Sequence, residues 1–336
     1  MPVENRDSAN AVKVLSIDIG GSKLLTAIAD VDVYSDGTRR AALSGISKRI
    51  LNKDDGRNGV WNAILSAIEE TLDRTHASLS DILKIGATIP GIADPKHAKW
   101  VYAPFSGISD WSIGSDLQRE YGKEVRAEND VNACAWAEKI FGVCKDVDNF
   151  LWVTISNGIG GGLVLNGNIY PGKFAGAAEI GHFNVVENGR LCGCGNRGCL
   201  EATCAGPGIA RNYCEALADK GSEIGRVDET PAISAAEIAA LARQGDAIAR
   251  QVYSDVGRRL GRALSWAANL INPEKIVIGG GVSGAFDLFS PSMQESFDSY
   301  LFKQTNKTLK IEKTGLGYEA GLYAAASLAW GSESSL

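Results

Sequence analysis

The 336-residue chain has only three histidines, and none of its apolar runs approaches the ~18 residues that span a bilayer. It has no excess of positive charge: 34 Lys and Arg stand against 40 Asp and Glu, for a net charge of −6. That balance leaves no electrostatic footprint for nucleic acid. Met1–Asn10 is polar and lacks an apolar signal core, which argues against secretion by that route. Seven cysteines are sparse and odd in number for a chain this long, which argues against a disulfide scaffold and for reduced thiols in the cytoplasm. The residue in excess is glycine, 39 of 336, or roughly 12% against an average near 7%. The length suggests about two domains at ~150 residues each.

The glycines are not scattered. Val12, Val14 and Ile17 begin a β-rich run that breaks at Gly20-Gly21 and resumes as Leu24–Val31. Phe150–Ile155 repeats the pattern, breaking over Ser156–Gly162 and resuming at Leu163–Leu165, with Asn166-Gly167 as a hairpin turn. Ile276–Ile278 runs into a third cluster, Gly279-Gly280-Gly281. Helical spacing marks Trp61–Leu72 and Ala247–Asn272, and small residues mark a last helix at Ala320–Ala329. Ser115 with Gln118, and Ser234 with Glu237, have the spacing of capping boxes. Alternating β and α elements predict an α/β protein, and the repeated glycine hairpin predicts two lobes with a cleft between them.

Asp18-Ile19-Gly20-Gly21-Ser22-Lys23 is the first chemical candidate. Successive N–H groups in a glycine turn cradle an anion; Ser22 adds a hydroxyl, Lys23 a charge, and Asp18 a carboxylate for a Mg²⁺ shell. The motif is neither G-x-x-x-x-G-K-[ST] nor G-x-G-x-x-G. One such turn is as well read as an ordinary hairpin. Three clusters at strand ends, where α/β sheets bind ligands, favour a nucleotide.

Glu128-Asn129-Asp130-Val131-Asn132 lies at a strand-to-helix junction. Asp130 reads equally as a helix N-cap and as a general base. Asn129 would hold a neighbouring hydroxyl. Cys192, Cys194 and Cys199 crowd into eight residues, ten after His182. Cys₃His is a structural zinc set, although Cys-x-Cys is tighter than the usual C-x₂₋₄-C. A disulfide with a spare thiol, or three inert thiols, are the alternatives. Cys134, Cys144, Cys204 and Cys214 read as core or near-surface thiols. Glu179 and Glu201 flank the cluster, either held by it or simply on the surface.

Taken in order, these segments resemble the ROK family of sugar kinases, on the actin-like ATPase (ribonuclease H-like) fold. The matching pieces are Asp18–Lys23, Pro90-Gly91, Glu128–Asn132, Gly158–Gly162, Glu179–His182, Cys192–Glu201 and Ile278–Gly281, spread over residues 12–330. The resemblance implies transfer of the γ-phosphoryl group of ATP to a hexose hydroxyl, with Mg²⁺ on the phosphates and structural Zn²⁺ on the loop. It makes Asp130 the catalytic base, and Asn129, Glu179, His182 and Glu201 sugar-binding residues. His182, Cys192, Cys194 and Cys199 match the zinc ligands. Asp18, Gly20, Gly21, Ser22, Lys23, Asn157, Gly158, Gly160, Gly161, Gly279, Gly280 and Gly281 match the nucleotide loops.

Glucose is the first-choice sugar; N-acetylmannosamine, N-acetylglucosamine, fructose and allose are alternatives, as is a sugar sensor without catalysis. Two positions depart from the family pattern: Phe105 stands where Asn usually contacts the sugar, and Asn157 where Thr is usual. The family's repressors add a helix-turn-helix domain, and only about eleven residues precede the first strand here, so no such domain is expected. Residues 11–134 with 318–336 are expected to form a smaller lobe and 135–317 a larger one with the zinc loop. A homodimer or higher homo-oligomer is a family expectation, with no nucleic acid or membrane partner.

Overall fold

The computed structural model describes residues 8–52, 54–103, 106–219 and 232–329. Along the chain the strands and helices are β1 (Ser8–Ile19), β2 (Lys23–Tyr34), β3 (Arg39–Ile50), α1 (Gly56–Thr75), β4 (Ile82–Ile89), β5 (Ile92–Asp94), β6 (Lys99–Ala103), β7 (Ile108–Trp111), α2 (Ile113–Tyr121), β8 (Glu124–Asn129) and α3 (Asp130–Ile140). There follow β9 (Phe150–Ile155), β10 (Ile159–Leu165), β11 (Asn168–Ile169), α4 (Leu200–Cys204), α5 (Gly206–Ala218), α6 (Ala235–Arg243), α7 (Ala247–Ile271), β12 (Lys275–Gly279), α8 (Phe286–Tyr300), β13 (Lys310–Lys313) and α9 (Ala320–Leu328). The class is α/β, as the alternation predicts.

By internal contacts the chain divides into two units. One comprises Met1–Asp148, Gly162–Ala177 and Gly315–Leu336; the other comprises Asn149–Gly161 and Ala178–Thr314.

The first unit is built on a sheet of order β3-β2-β1-β4-β8. The first three strands are antiparallel neighbours, and β1, β4 and β8 run parallel. β1 is covered on both faces at its centre, where Val14, Leu15, Ser16 and Ile17 are all buried. Leu15, Ile17 and Ile19 pack with Ile64 and Ile68 of α1, while Val14 packs with Ala326 of α9. The period of two thus sorts one strand between two helices. α9 approaches the sheet closely because Gly86 on β4 has no Cβ; one placed there would overlap the Ala325 carbonyl. A smaller sheet, β5-β6-β7, buries Trp100 against Trp111, with ring centroids 5.7 Å apart.

In the second unit β12 lies between β9 and β13 and parallel to both. α7 and α8 pack tightly at Gly257 and Gly261, where any Cβ would run into the backbone of Phe289 and Met293. Ser234 and Glu237 form the expected capping box at the start of α6, and Asn272 closes α7 in the left-handed region just before Pro273.

Three local expectations need correction. The capping box expected at Ser115 does not form: α2 starts at Ile113 with Ser112 as N-cap. The helix begins early because Gly114 sits directly on Ala98, where its N–H donates to the Ala98 carbonyl at 2.9 Å. Asn129, not Asp130, caps α3. The second glycine turn covers only Ser156–Gly158, and Gly160, Gly161 and Gly162 belong to β10. Glycine is needed in that strand for close approach: a Cβ on Gly161 would meet the Ala178 carbonyl, and one on Gly162 would lie 2.8 Å from the Val131 carbonyl.

Candidate functional site

In the first unit, strand register lines up three polar side chains. Asp18 on β1 pairs with Thr88 on β4, and Thr88 pairs with Glu128 on β8. All three stand at the carboxyl ends of parallel strands, where α/β sheets bind ligands. Thr88 Oγ1 donates to Asp18 Oδ1 at 2.8 Å. Behind Asp18 stands Gly321 of α9, where a Cβ would collide with the carboxylate. Burial pushes the Asp18 carboxyl above its ordinary range, against the hydrogen bond from Thr88 and the charge of Lys23.

β1 turns into β2 through Gly20-Gly21-Ser22, closed by a 2.8 Å hydrogen bond from the Gly20 N–H to the Lys23 carbonyl. Gly21 and Ser22 are exposed at its tip. This turn is as expected, and its exposed backbone can face an anion.

Asp130 opens α3 immediately after β8. Asn129 holds it there. Asn129 Oδ1 accepts from the Val131 and Asn132 N–H groups at 3.0 and 3.1 Å, and its Nδ2 donates to the Gly91 carbonyl at 2.7 Å and to Asp130 Oδ1 at 3.1 Å. Glu128 is buried, and its Oε1 accepts from the Asn129 N–H at 2.7 Å. Burial, then the neighbouring charge of Asp18, pushes the Asp130 carboxyl up to about 7. Burial likewise pushes Glu128 up to about 7. A carboxylate poised near neutrality, with its orientation fixed by an amide, is suited to accept a proton from a hydroxyl.

The second unit gathers the other expected residues. The Ser156 N–H donates to the Gly158 carbonyl at 2.8 Å, and the Gly206 N–H at the start of α5 donates to the Ser156 carbonyl at 2.8 Å. The third cluster lies beside this turn: a Cβ on Gly281 would be 4.0 Å from Ser156 Oγ. Gly280 has φ +81° and presses on Thr154 and Ile155, so packing as well as any ligand demands glycine there. Asn157 is exposed at the tip of the turn.

The cysteine loop closes on itself. His182, Cys192, Cys194 and Cys199 bring one ligand atom each to within 4.8 Å of one another. Cys194 Sγ and Cys199 Sγ are 3.7 Å apart, and Cys192 Sγ is 3.8 Å from His182 Nδ1. Tetrahedral zinc with Zn–S near 2.3 Å would separate its sulfurs by about 3.8 Å, so the four residues fit it. His182 turns its other nitrogen, Nε2, to Glu179 Oε2 at 3.8 Å. Glu201 bridges from this loop to the second glycine turn: Oε2 accepts from the Ile159 N–H at 3.0 Å, and Oε1 lies 3.6 Å from Cys192 Sγ. Cys134, Cys144 and Cys204 are buried thiols, as expected of core residues.

The sequence offers no signal that brings Thr88 or Gly321 to the site, and none that gives Glu128 a role of its own. Phe105 and its neighbour Pro104, where a sugar contact is expected to be lost, lie outside the described residues. No helix among the described residues is long and apolar enough to cross a membrane.

A glucokinase of Halalkalibacterium halodurans is 34% identical over 288 residues, covering 85% of this chain and 87% of that protein. The DNA-binding transcriptional dual regulator NagC of Escherichia coli is 29% identical over 79% of this chain, which spans 64% of the regulator's length. The crystal structure of a ROK family glucokinase from Streptomyces griseus, in complex with glucose and AMPPNP, aligns with a TM-score of 0.78 at 28% identity, covering 95% of this chain and all of that one. The profile of the ROK family matches residues 14–331, nearly the whole length, and the chain belongs to that family.

Proposed function

We propose that the protein is an ATP-dependent hexose kinase that transfers the γ-phosphoryl group to a sugar hydroxyl, with glucose as the first-choice acceptor. The observation that carries this reading is Asp130: a carboxyl held near neutrality at the start of α3, oriented by Asn129 and close enough to Asp18 to feel its charge. The glucokinase relatives support the reaction class and the choice of glucose.

In this reading Asp130 accepts the proton of the attacking hydroxyl as the hydroxyl oxygen bonds to phosphorus and ADP departs. The exposed amides of the glycine turns and Lys23 bind phosphate oxygens, a matter of position and electrostatics. Asp18 and the Thr88 hydroxyl are hard oxygen donors of the kind Mg²⁺ prefers, and Asp18 would hold that ion, which neutralises phosphate charge when bound. Asn129 has both atoms of its amide engaged, so it serves the sugar by holding Asp130 and the Gly91 loop. Cys192, Cys194, Cys199 and His182 would hold the structural Zn²⁺, and His182 turns Nε2 towards Glu179, where it would meet sugar hydroxyls. Glu201 completes that polar set.

The NagC relative favours a second reading, a sugar sensor that binds without turnover. Coupled ADP release, measured with glucose, mannose, N-acetylmannosamine, N-acetylglucosamine, fructose and allose, separates the two. A kinase releases ADP with at least one of them in proportion to sugar consumed. Sugar binding by calorimetry with no ADP release from any of the six would establish the sensor.

A further inference from the structure

We propose that Tyr318 is the positioning residue that holds Lys23 ready for the phosphates at the first glycine turn; the inference rests on the kinase reading above. A lysine at the tip of a turn is a hydrated charge on a flexible four-carbon stem, and ordering it reduces the gain from any phosphate it meets. Here Lys23 is ordered in advance. Its Nζ donates to the Tyr318 hydroxyl at 2.8 Å and lies 4.0 Å from the centroid of the same ring, a contact between residues 295 apart in sequence.

Core packing does not account for Tyr318, because the residue is 66% exposed. It stands on the short turn Gly317–Glu319 that leads into α9, and three residues later Gly321 abuts Asp18. One segment therefore reaches both charged side chains of the first turn. The chemistry of the partner also matters. A carboxylate would order Lys23 and cancel its charge, whereas a neutral phenol orders it and leaves the charge for phosphate.

The test uses Tyr318→Ala, Tyr318→Phe, Lys23→Ala and the Tyr318→Ala/Lys23→Ala double variant of the full chain. Steady-state kinetics are read together with calorimetric binding of AMPPNP. Losing both contacts in Tyr318→Ala should raise KM for ATP about tenfold and weaken AMPPNP by the same factor. KM for glucose should stay within about twofold, a split that a merely structural role would not give. Tyr318→Phe, which keeps the ring, should fall between. In the Lys23→Ala background Tyr318→Ala should add nothing, because the two act through one contact. Unchanged or tighter AMPPNP binding in Tyr318→Ala, or additive losses in the double variant, would overturn the proposal. If the wild type phosphorylates no hexose the kinase reading fails by itself, and AMPPNP binding still decides the role of Tyr318.

Discussion

Asp130 carries two opposed demands. As a base it must ionise, yet burial and the charge of Asp18 favour its protonated form, up to about pH 7. Activity should therefore rise with pH: kcat/KM for the hexose should show an acid limb with an apparent pKa near 7 that belongs to Asp130 and its carboxylate neighbours together. A profile flat from about pH 5 to 8 would contradict this. The same shift acts on stability with the opposite sign. The folded value is raised above the unfolded value near 4, so the folded state holds extra protons in between. That contribution is full below about pH 4 and is lost as pH rises through about 7. Asp130→Asn cannot lose it. Its melting temperature should exceed that of the wild type by a few degrees at pH 8, with the gap shrinking towards pH 5, as read by thermal scans across buffers. Glu128, buried beside it and also raised to about 7, adds to the same pH trend in the wild type.

At the scale of elements, α9 and the cysteine loop set the positions on which the chemistry depends. α9 reaches the sheet because Gly86 and Gly321 lack side chains, and Gly321 is pressed against Asp18. Gly321→Ala should push that helix end away, destabilise the protein by about 1–3 kcal/mol as overpacking does, and reduce kcat at least about tenfold. Denaturant unfolding and kinetics check the two effects; wild-type values in both would show that the helix yields without consequence. The cysteine loop should carry about one zinc per chain by metal analysis of protein purified without added metal. Cys199→Ser should lose it. Because His182 is both a member of this cluster and a proposed sugar contact, metal loss should raise KM for the hexose. Less than about half an equivalent of zinc, with all thiols titratable, would contradict the assignment.

Across the whole molecule, what the sequence revealed was whatever neighbouring residues encode. The turn between β1 and β2, the capping box at Ser234 and the cluster of His182 with Cys192, Cys194 and Cys199 all rest on short spacings. The reading missed what register and packing bring together over long separations. Thr88 meets Asp18 across 70 residues through strand pairing, and Tyr318 meets Lys23 across 295. β3 gave no signal because its burial alternates weakly and much of it is polar. The glycines of β10 were assigned to a turn because glycine composition alone cannot distinguish a tight turn from a strand lying against another backbone. Residues 1–148 fall in one unit while 149–161 fall in the other, a division that follows contacts and leaves no mark in composition.

The central claim is that Asp130 accepts a proton while ATP phosphorylates a hexose. Its most direct test follows the labelled γ-phosphoryl group of ATP into glucose, with the wild type and Asp130→Asn compared at matched sugar occupancy set by calorimetry. The wild type should form labelled sugar phosphate in step with ADP. Asp130→Asn should bind glucose comparably and transfer the label at least about 10²-fold more slowly. Transfer by the variant at the wild-type rate, or no label in any hexose with the wild type, would contradict it.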